Sequence, residues 1–280
     1  MNIRPATISF LFITRICIAQ IDSTSATVES QATGHSLISI VGNDGLTALQ
    51  IAGHVLTNPT RWDGRDLLVA GGLGVATGAS FFLDDETHRL MERNHASFTD
   101  DVTRVAVEYG SGYLAIGLPV TMYITGWAIE DTWLRETAML MGTTVLLTSA
   151  ITTAGKIIIG RARPYTGFGS HHFNSFSARA EFMSFPSGHT TVAFALSAVL
   201  AARIRNPWAS VGLYGLATCA AASRIYTRDH WLSDVVFTGA YTAAVAHSVV
   251  HWFENEGGDG AATGFDIIPT TNGVCVAWNF

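Results

Sequence analysis

Long apolar runs separated by short polar connections dominate the chain from residue 67 onward. These runs do not alternate apolar and polar residues at every second position, and such continuous apolarity predicts helices rather than strands. The pattern therefore predicts an all-α fold, a six-helix core bundle over residues 67–257. The six runs are Leu67–Leu83, Ser111–Ile129, Thr137–Gly155, Thr190–Ile204, Trp208–Ala222 and Val235–Phe253.

The two ends of the chain depart from this pattern. Residues 1–26 place a positive charge before an apolar stretch, which is typical of an export signal peptide, with an ordinary N-terminal apolar segment as the alternative. Residues 27–66 mix Ser, Thr, Gly and Asn with weakly amphipathic stretches, and we expect an N-terminal extension with one or two short helices. Residues 258–280 alternate in hydrophobicity after the turn signal Asn272-Gly273, which predicts a short C-terminal β-hairpin.

The composition favours a bundle embedded in a membrane. Only 14% of the 280 residues are charged, against roughly 25% in an ordinary soluble domain. Several runs are shorter than the roughly 20 apolar residues of a spanning helix, so a soluble periplasmic bundle stays open as the alternative. The net charge of −6, with no block of Lys or Arg, argues against nucleic acid as a partner. The three cysteines have neither metal-ligand spacing nor the pattern of a disulfide framework.

The first cluster of candidate chemistry follows the third run. Lys156 and Arg163 are seven residues apart, which is two turns of helix, so both cations are expected on one helix face. Pro164 predicts that the helix ends near Arg163. Taken alone, a cation after an apolar run is typical of a side chain that reaches from an apolar surface towards water.

The second cluster opens the fourth run with Pro186, Ser187, Gly188 and His189. A serine before a glycine at a helix start offers a hydroxyl and unpaired backbone N–H groups, which together bind anions. An ordinary helix cap by Ser187 explains the serine equally well. It does not explain His189, a side chain able to carry charge at the edge of an apolar helix.

The third cluster leads into the sixth run. His230 and Asp234 are four residues apart, which makes them neighbours on a helix face if the helix begins there. The carboxylate would hold one ring nitrogen and leave the other free to attack a substrate. A surface salt bridge is the plainer interpretation of this pair alone, but Arg224 adds a cation to the same cluster.

If consecutive helices run antiparallel, the three clusters meet at one end of the bundle. Cations gathered around a histidine repel one another unless they hold an anion. With a second histidine, such a pocket is typical of phosphoryl transfer. Other cations and histidines near or after the motifs are interpreted as solvated or structural residues: Arg161, Arg228, His171, His172, His247 and His251.

In chain order the three clusters contain the motifs K-x6-R-P, P-S-G-H and S-R-x5-H-x3-D. In these motifs the chain resembles the type 2 phosphatidic acid phosphatase superfamily, which also contains the vanadium haloperoxidases. The match by motif runs from Lys156 to Asp234, and the six-run pattern extends it to residues 67–253.

The resemblance implies a role for each motif residue. His230 is expected to attack phosphorus, Asp234 to orient its ring, and His189 to act as general acid and then as general base. The phosphate is expected to be bound by Lys156, Arg163, Ser187, Gly188 and Arg224. No carboxylate cluster resembles a magnesium or zinc site, so we expect neither a metal nor another cofactor.

The predicted function is a metal-independent phosphatase that hydrolyses a phosphate monoester, expected to be a lipid phosphate, through a phosphohistidine. Phosphatidic acid, phosphatidylglycerol phosphate, an isoprenyl diphosphate and lipid A phosphate stay open as substrates. The alternatives are a haloperoxidase that uses vanadate as cofactor and a non-catalytic envelope transporter or binding protein. Arg203 and Arg205, which join the fourth and fifth runs, predict by the positive-inside rule that the site faces outward from the cell envelope.

Overall fold

The computed structural model describes residues 37–93, 97–257, 265–270 and 273–278. The described part contains the helices α1 (Leu37–Thr57), α2 (Gly64–Arg93), α3 (Ser97–Tyr109), α4 (Gly112–Ala128), α5 (Thr132–Ile159), α6 (Gly188–Ile204), α7 (Pro207–Tyr226) and α8 (Leu232–Trp252). The strands β1 (Phe265–Thr270) and β2 (Gly273–Trp278) pair antiparallel. The chain divides into two compact units: residues 44–260, which form the helical bundle, and residues 1–43 together with 261–280.

All six apolar runs lie in helices, and the prediction of an all-α bundle is confirmed. The runs correspond in order to α2 and to α4 through α8. The sequence pattern does not predict α3, because its apolar positions recur on one face between charged residues and form no continuous run. Helix α1 is a single helix of 21 residues, longer than the short helices expected in that region.

Helix α5 ends earlier than predicted, and the placement of Lys156 and Arg163 on one helix face is wrong. Gly160 adopts a left-handed conformation with φ of 62°, and its N–H donates to the carbonyl of Lys156 at 3.0 Å. This geometry is the αL cap that ends many helices. A Cβ on Gly160 would lie 1.8 Å from the carbonyl oxygen of Asn174, so glycine is required for space as well. Arg163 therefore belongs to the loop after α5.

The main core lies where α5, α6 and α8 pack against one another. Its fully buried side chains include Leu140, Met141, Leu196, Val199 and Val249. Buried threonines of α5 donate their hydroxyl groups to backbone carbonyls one turn earlier, so their burial leaves these polar groups satisfied. Small residues of this kind allow helices to approach closely, as they do in membrane bundles.

The outer surface of the bundle is strongly apolar. Residues 66–93 of α2 and residues 132–159 of α5 are long and apolar enough to cross a membrane. Large apolar side chains stand exposed on several helices, among them Leu68, Phe82, Tyr113, Leu146 and Trp208. Apolar surface of this extent is a lipid or partner contact in folded proteins. These two candidate spans agree with the membrane-embedded bundle that the low content of charged residues predicts.

Candidate active site

Two loops meet at the end of the bundle where α5 and α7 finish and α6 and α8 begin. The N–H of Tyr165, in the α5–α6 loop, donates to the carbonyl of Arg228 at 3.1 Å. The indole Nε1 of Trp231 donates back to the carbonyl of Ala162 at 2.8 Å. These hydrogen bonds join the loops that carry the three motifs.

Two arginines of different motifs share one carboxylate. Arg163 Nη1 lies 3.1 Å from Oδ1 of Asp229, and Arg224 Nη2 lies 2.6 Å from Oδ2 of the same residue. The Nε atoms of Arg163 and Arg224 are buried and have no hydrogen-bond partner within the described part of the chain. Two guanidinium groups with free Nε donors therefore pair with Asp229, the residue that directly precedes His230.

His230 is buried and carries no charge at neutral pH. Only 2% of the residue is exposed, and its backbone N–H donates to the carbonyl of Arg224 at 3.1 Å. Burial, assisted by the charges of Lys156 and Arg163, lowers the pKa of His230 to about 4, although Asp234 acts in the opposite direction. A neutral imidazole keeps the lone pair that a nucleophile requires.

Asp234 reaches His230 from the start of a helix rather than along a helix face. Helix α8 begins at Leu232, so His230 precedes it, and the prediction of a pair within one helix is wrong. Oδ2 of Asp234 lies 3.5 Å from Nδ1 of His230 and accepts hydrogen bonds from the N–H of Trp231 at 2.9 Å and from Ser184 Oγ at 2.5 Å. The histidine contact is long for a hydrogen bond, as catalytic contacts often are without substrate. With Nδ1 facing the carboxylate, Nε2 is the nitrogen available for attack.

Arg161 is fully buried, and its interpretation as a solvated loop residue is wrong. Its Nη1 donates to Oδ1 of Asp234 at 2.5 Å and to Ser233 Oγ at 2.7 Å. Its Nη2 donates to Oδ2 of Asp84, on α2, at 2.7 Å. Asp84 in turn accepts from the N–H and the hydroxyl of Ser233, at 2.8 and 2.7 Å. This network anchors the carboxylate that faces His230.

Sequence reasoning missed Asp84 altogether. The available signal was a carboxylate at the end of an apolar run, since an acid in such a position needs a cationic partner. Which of the arginines is that partner cannot be read from the sequence, because Arg161 is 77 residues away along the chain.

Ser187 caps helix α6 and ties it to α8. Its Oγ accepts from the N–H of Thr190 at 3.4 Å and from the hydroxyl of Thr190 at 2.9 Å. Its own N–H donates to Thr238 Oγ1 at 2.9 Å. The serine is therefore an ordinary cap, as the plainer interpretation has it, and the cap holds the first turn of α6 at the site.

Lys156 lies beside the start of α6. Its ammonium group donates to the carbonyl of Met183 at 2.7 Å. A Cβ on Gly188 would lie 3.9 Å from Cε of the lysine, so the side chain passes this glycine at van der Waals distance. The cation and the unpaired N–H groups of the first helical turn thus lie together, an arrangement that suits an anion.

His189 completes the cluster at the first turn of α6. Burial, assisted by the charges of Arg224, Arg163 and Lys156, lowers the pKa of His189 to about 4, although Asp229 acts in the opposite direction. A Cβ on Gly110, between α3 and α4, would lie 2.6 Å from the carbonyl oxygen of His189. The sequence contains no signal for this close approach, which requires glycine at the junction.

Residues outside the motifs stand in ordinary surroundings. Arg228 pairs with Glu92 at 3.2 Å, and Nδ1 of His171 lies 2.8 Å from Ser170 Oγ. The rings of His247 and His251 lie 6.0 Å apart. Among the described residues, no group of three or more His, Cys, Asp or Glu side chains has the geometry of a metal site.

The arrangement contains the parts that phosphoryl transfer requires. The structure brings the eight motif residues to one end of the bundle: Lys156, Arg163, Ser187, Gly188, His189, Arg224, His230 and Asp234. A neutral imidazole is backed by a carboxylate, free N–H donors and cations belong to the same cluster, and a second imidazole can exchange protons.

The comparison with known sequences agrees with this chemistry. The model of the PAP2 superfamily matches residues 137–257. The lipid A 1-phosphatase of Porphyromonas gingivalis is 33% identical over 111 residues, which are 39% of this chain and 22% of that protein. The lipid A 1-phosphatase of Rhizobium etli is 36% identical over 96 residues, 34% of this chain and 40% of that protein. The chain therefore spans less than half the length of these relatives.

Two solved structures share the fold. LpxE of Aquifex aeolicus superposes with a TM-score of 0.50 at 21% identity, covering 60% of this chain and 95% of that one. The transmembrane PAP2-type phosphatidylglycerolphosphate phosphatase of Bacillus subtilis superposes with a TM-score of 0.50 at 17% identity, covering 76% and 95%. The helical bundle thus has the fold of these two solved structures.

Proposed function

The model of the PAP2 superfamily matches residues 137–257 of this chain, and on that premise we propose that the protein is a metal-independent phosphatase of a membrane lipid phosphate, acting through a phosphohistidine. One observation carries the proposal. His230 is buried, neutral and backed by Asp234, and it directly follows the carboxylate that Arg163 and Arg224 share. A binding protein or transporter has no need for a neutral imidazole in that place.

In the first step Nε2 of His230 attacks phosphorus, and the bond from phosphorus to the lipid oxygen breaks. The dianionic substrate offsets the cations that lower the pKa of His189 in the empty site, and the protonated His189 then gives its proton to the departing oxygen. The equatorial oxygens lie among Lys156, the free Nε donors of Arg163 and Arg224, and the first turn of α6. Asp234 stabilises the positive charge that develops on the ring of His230.

In the second step the oxygen of a water molecule attacks phosphorus, and His189 takes a proton from that water. The bond from phosphorus to Nε2 breaks, His230 returns to its neutral form, and inorganic phosphate leaves. The same ligands hold the phosphoryl group in both steps, so little has to move between them.

We propose lipid A 1-phosphate as the first substrate to test, because the curated relatives are lipid A 1-phosphatases. The apolar outer surface keeps the site beside the bilayer, where a lipid phosphate presents its headgroup. We also propose that the site faces the periplasm. Arg203 and Arg205 lie at the other end of the bundle, between α6 and α7, and by the positive-inside rule that end is cytoplasmic.

The test is phosphate release by the purified full chain in detergent with excess EDTA, from lipid A, phosphatidic acid, phosphatidylglycerol phosphate and an isoprenyl diphosphate. We expect release by the wild type and near-complete loss in His230→Ala, because that change removes the nucleophile. Equal release by both proteins would exclude His230 as nucleophile. Halide oxidation with vanadate and peroxide, without phosphate release from any ester, would establish the haloperoxidase instead.

A further inference from the structure

Asp229 is an acidic side chain at a site for an anion, and the mechanism above gives it no role. Its carboxylate contacts Arg163 at 3.1 Å and Arg224 at 2.6 Å, and it accepts a hydrogen bond from Thr227 Oγ1 at 2.7 Å. The side chain is 24% exposed, so water screens these contacts only in part. One carboxylate thus opposes the charge of both arginines that face the substrate.

The contacts of Asp229 leave room for a second anion. The carboxylate takes Nη1 of Arg163 and Nη2 of Arg224, while the Nε atoms of both stay buried without a partner in the described part of the chain. Each guanidinium group therefore has one donor used internally and another free. A phosphoryl group that binds the free donors comes close to a carboxylate of like charge, and that proximity weakens its binding.

Asp229 is fixed through its backbone, and its carboxylate keeps its charge. Its backbone N–H donates to the carbonyl of Arg224 at 3.1 Å, which fixes it within the α7–α8 connection. Burial alone raises the pKa of Asp229, but the Thr227 hydrogen bond and the two arginines outweigh burial, and the pKa lies below its ordinary value. The carboxylate is therefore charged throughout the neutral range.

We propose that Asp229 is an internal counter-anion that lowers the affinity of the arginine pair for phosphate, so that the product phosphate leaves the site readily. The inference rests on the proposed function, because it assigns the pair to a phosphoryl group. A carboxylate that merely orients the arginines would instead strengthen phosphate binding. The two roles predict changes of opposite sign when the charge is removed.

The experiment is Asp229→Asn in the full chain in detergent, with inorganic phosphate binding measured by titration calorimetry. Asparagine keeps the shape and removes the charge. We expect phosphate to bind at least tenfold more tightly, and the inhibition constant of phosphate in lipid phosphate hydrolysis to fall by a similar factor. The matched control is Glu92→Gln, which removes one charge from the partner of Arg228 and should leave phosphate binding unchanged.

Asp229→Ser gives a second, smaller uncharged side chain for the case that the asparagine variant does not fold, and we expect the same tighter binding from it. Unchanged or weaker phosphate binding in a folded variant would overturn the inference. Tighter binding by a variant of a protein that hydrolyses no lipid phosphate would support the counter-anion and refute the proposed phosphatase. Calorimetry thus distinguishes a failure of the counter-anion inference from a failure of the proposed phosphatase function.

Discussion

At the scale of single residues, burial decides which group of the site can act as nucleophile. His230 has almost no exposed surface, and its ring stands next to cations as well as to Asp234. Because both burial and the cations disfavour a charged imidazole, the ring stays neutral over the pH range in which a free histidine would titrate. Arg161 and Asp84 hold Asp234 in place through a network that lies entirely inside the protein.

We expect the ring of His230 to titrate with an apparent pKa near 4 in the empty enzyme. The folded-state pKa lies below that of a free histidine, so the ring is neutral at pH 7 and gains its proton only as the pH falls through about 4. The measurement is an NMR titration of isotope-labelled histidine, with the His230 signal assigned by its loss in His230→Gln. An apparent pKa close to that of a free imidazole, about 6.5, would contradict the prediction.

At the scale of elements, short connections without periodicity place the side chains of the candidate active site. The loop after α5 carries Arg161 and Arg163 into the site only because Gly160 ends the helix. The junction between α3 and α4 passes so close to α6 that Gly110 leaves no room for a side chain beside His189. The first connection therefore fixes the position of two arginines of the site. The second fixes the position of His189, although Gly110 is far from it in the sequence.

We expect Gly110→Ala to lower the rate of phosphate release at least tenfold. A Cβ at this position meets the carbonyl oxygen and the Cβ of His189 at 2.6 and 2.9 Å, so the general acid must shift. Displacements of this size reduce rates strongly when a proton must be transferred over a short distance. The measurement is kcat with a lipid phosphate at saturating concentration.

Gly112→Ala is the matched control for this prediction. It lies at the start of α4, and a Cβ there meets nothing within 4 Å, so activity should stay within about twofold of wild type, since alanine favours the helix. Equal effects of the two substitutions would show that the junction does not position His189.

At the scale of the whole molecule, the apolar exterior and the polar end of the bundle together suggest how the bundle is oriented relative to a bilayer. Helices α2 and α5 present membrane-length apolar surface, and the motif residues gather at one end of the bundle. The arginines that join α6 to α7 lie at the opposite end and pair with Glu136 and Glu254. We propose that the bundle spans the bilayer with its two ends in different compartments.

We expect a cysteine introduced at Phe176, in the α5–α6 loop, to react with a membrane-impermeant maleimide in cells whose outer membrane is permeabilised. A cysteine at Asn206, the polar residue that caps the start of α7, should react only after the inner membrane is opened. Both positions are exposed and lie in connections between helices, so their reactivity reports the compartment and not burial. The native cysteines are replaced by serine, and the reverse labelling pattern would overturn the outward orientation.

The sequence by itself determined the six apolar helices of the bundle, although not α3, and the set of side chains that we propose transfer a phosphoryl group. Helix formation depends on local periodicity, and each motif is short enough to be contiguous in the chain. Only the tertiary structure decided that Arg161 is buried between Asp84 and Asp234, that Asp229 opposes two arginines, and that Gly110 touches His189. Burial and partners depend on which distant elements pack together, and no local pattern encodes that packing.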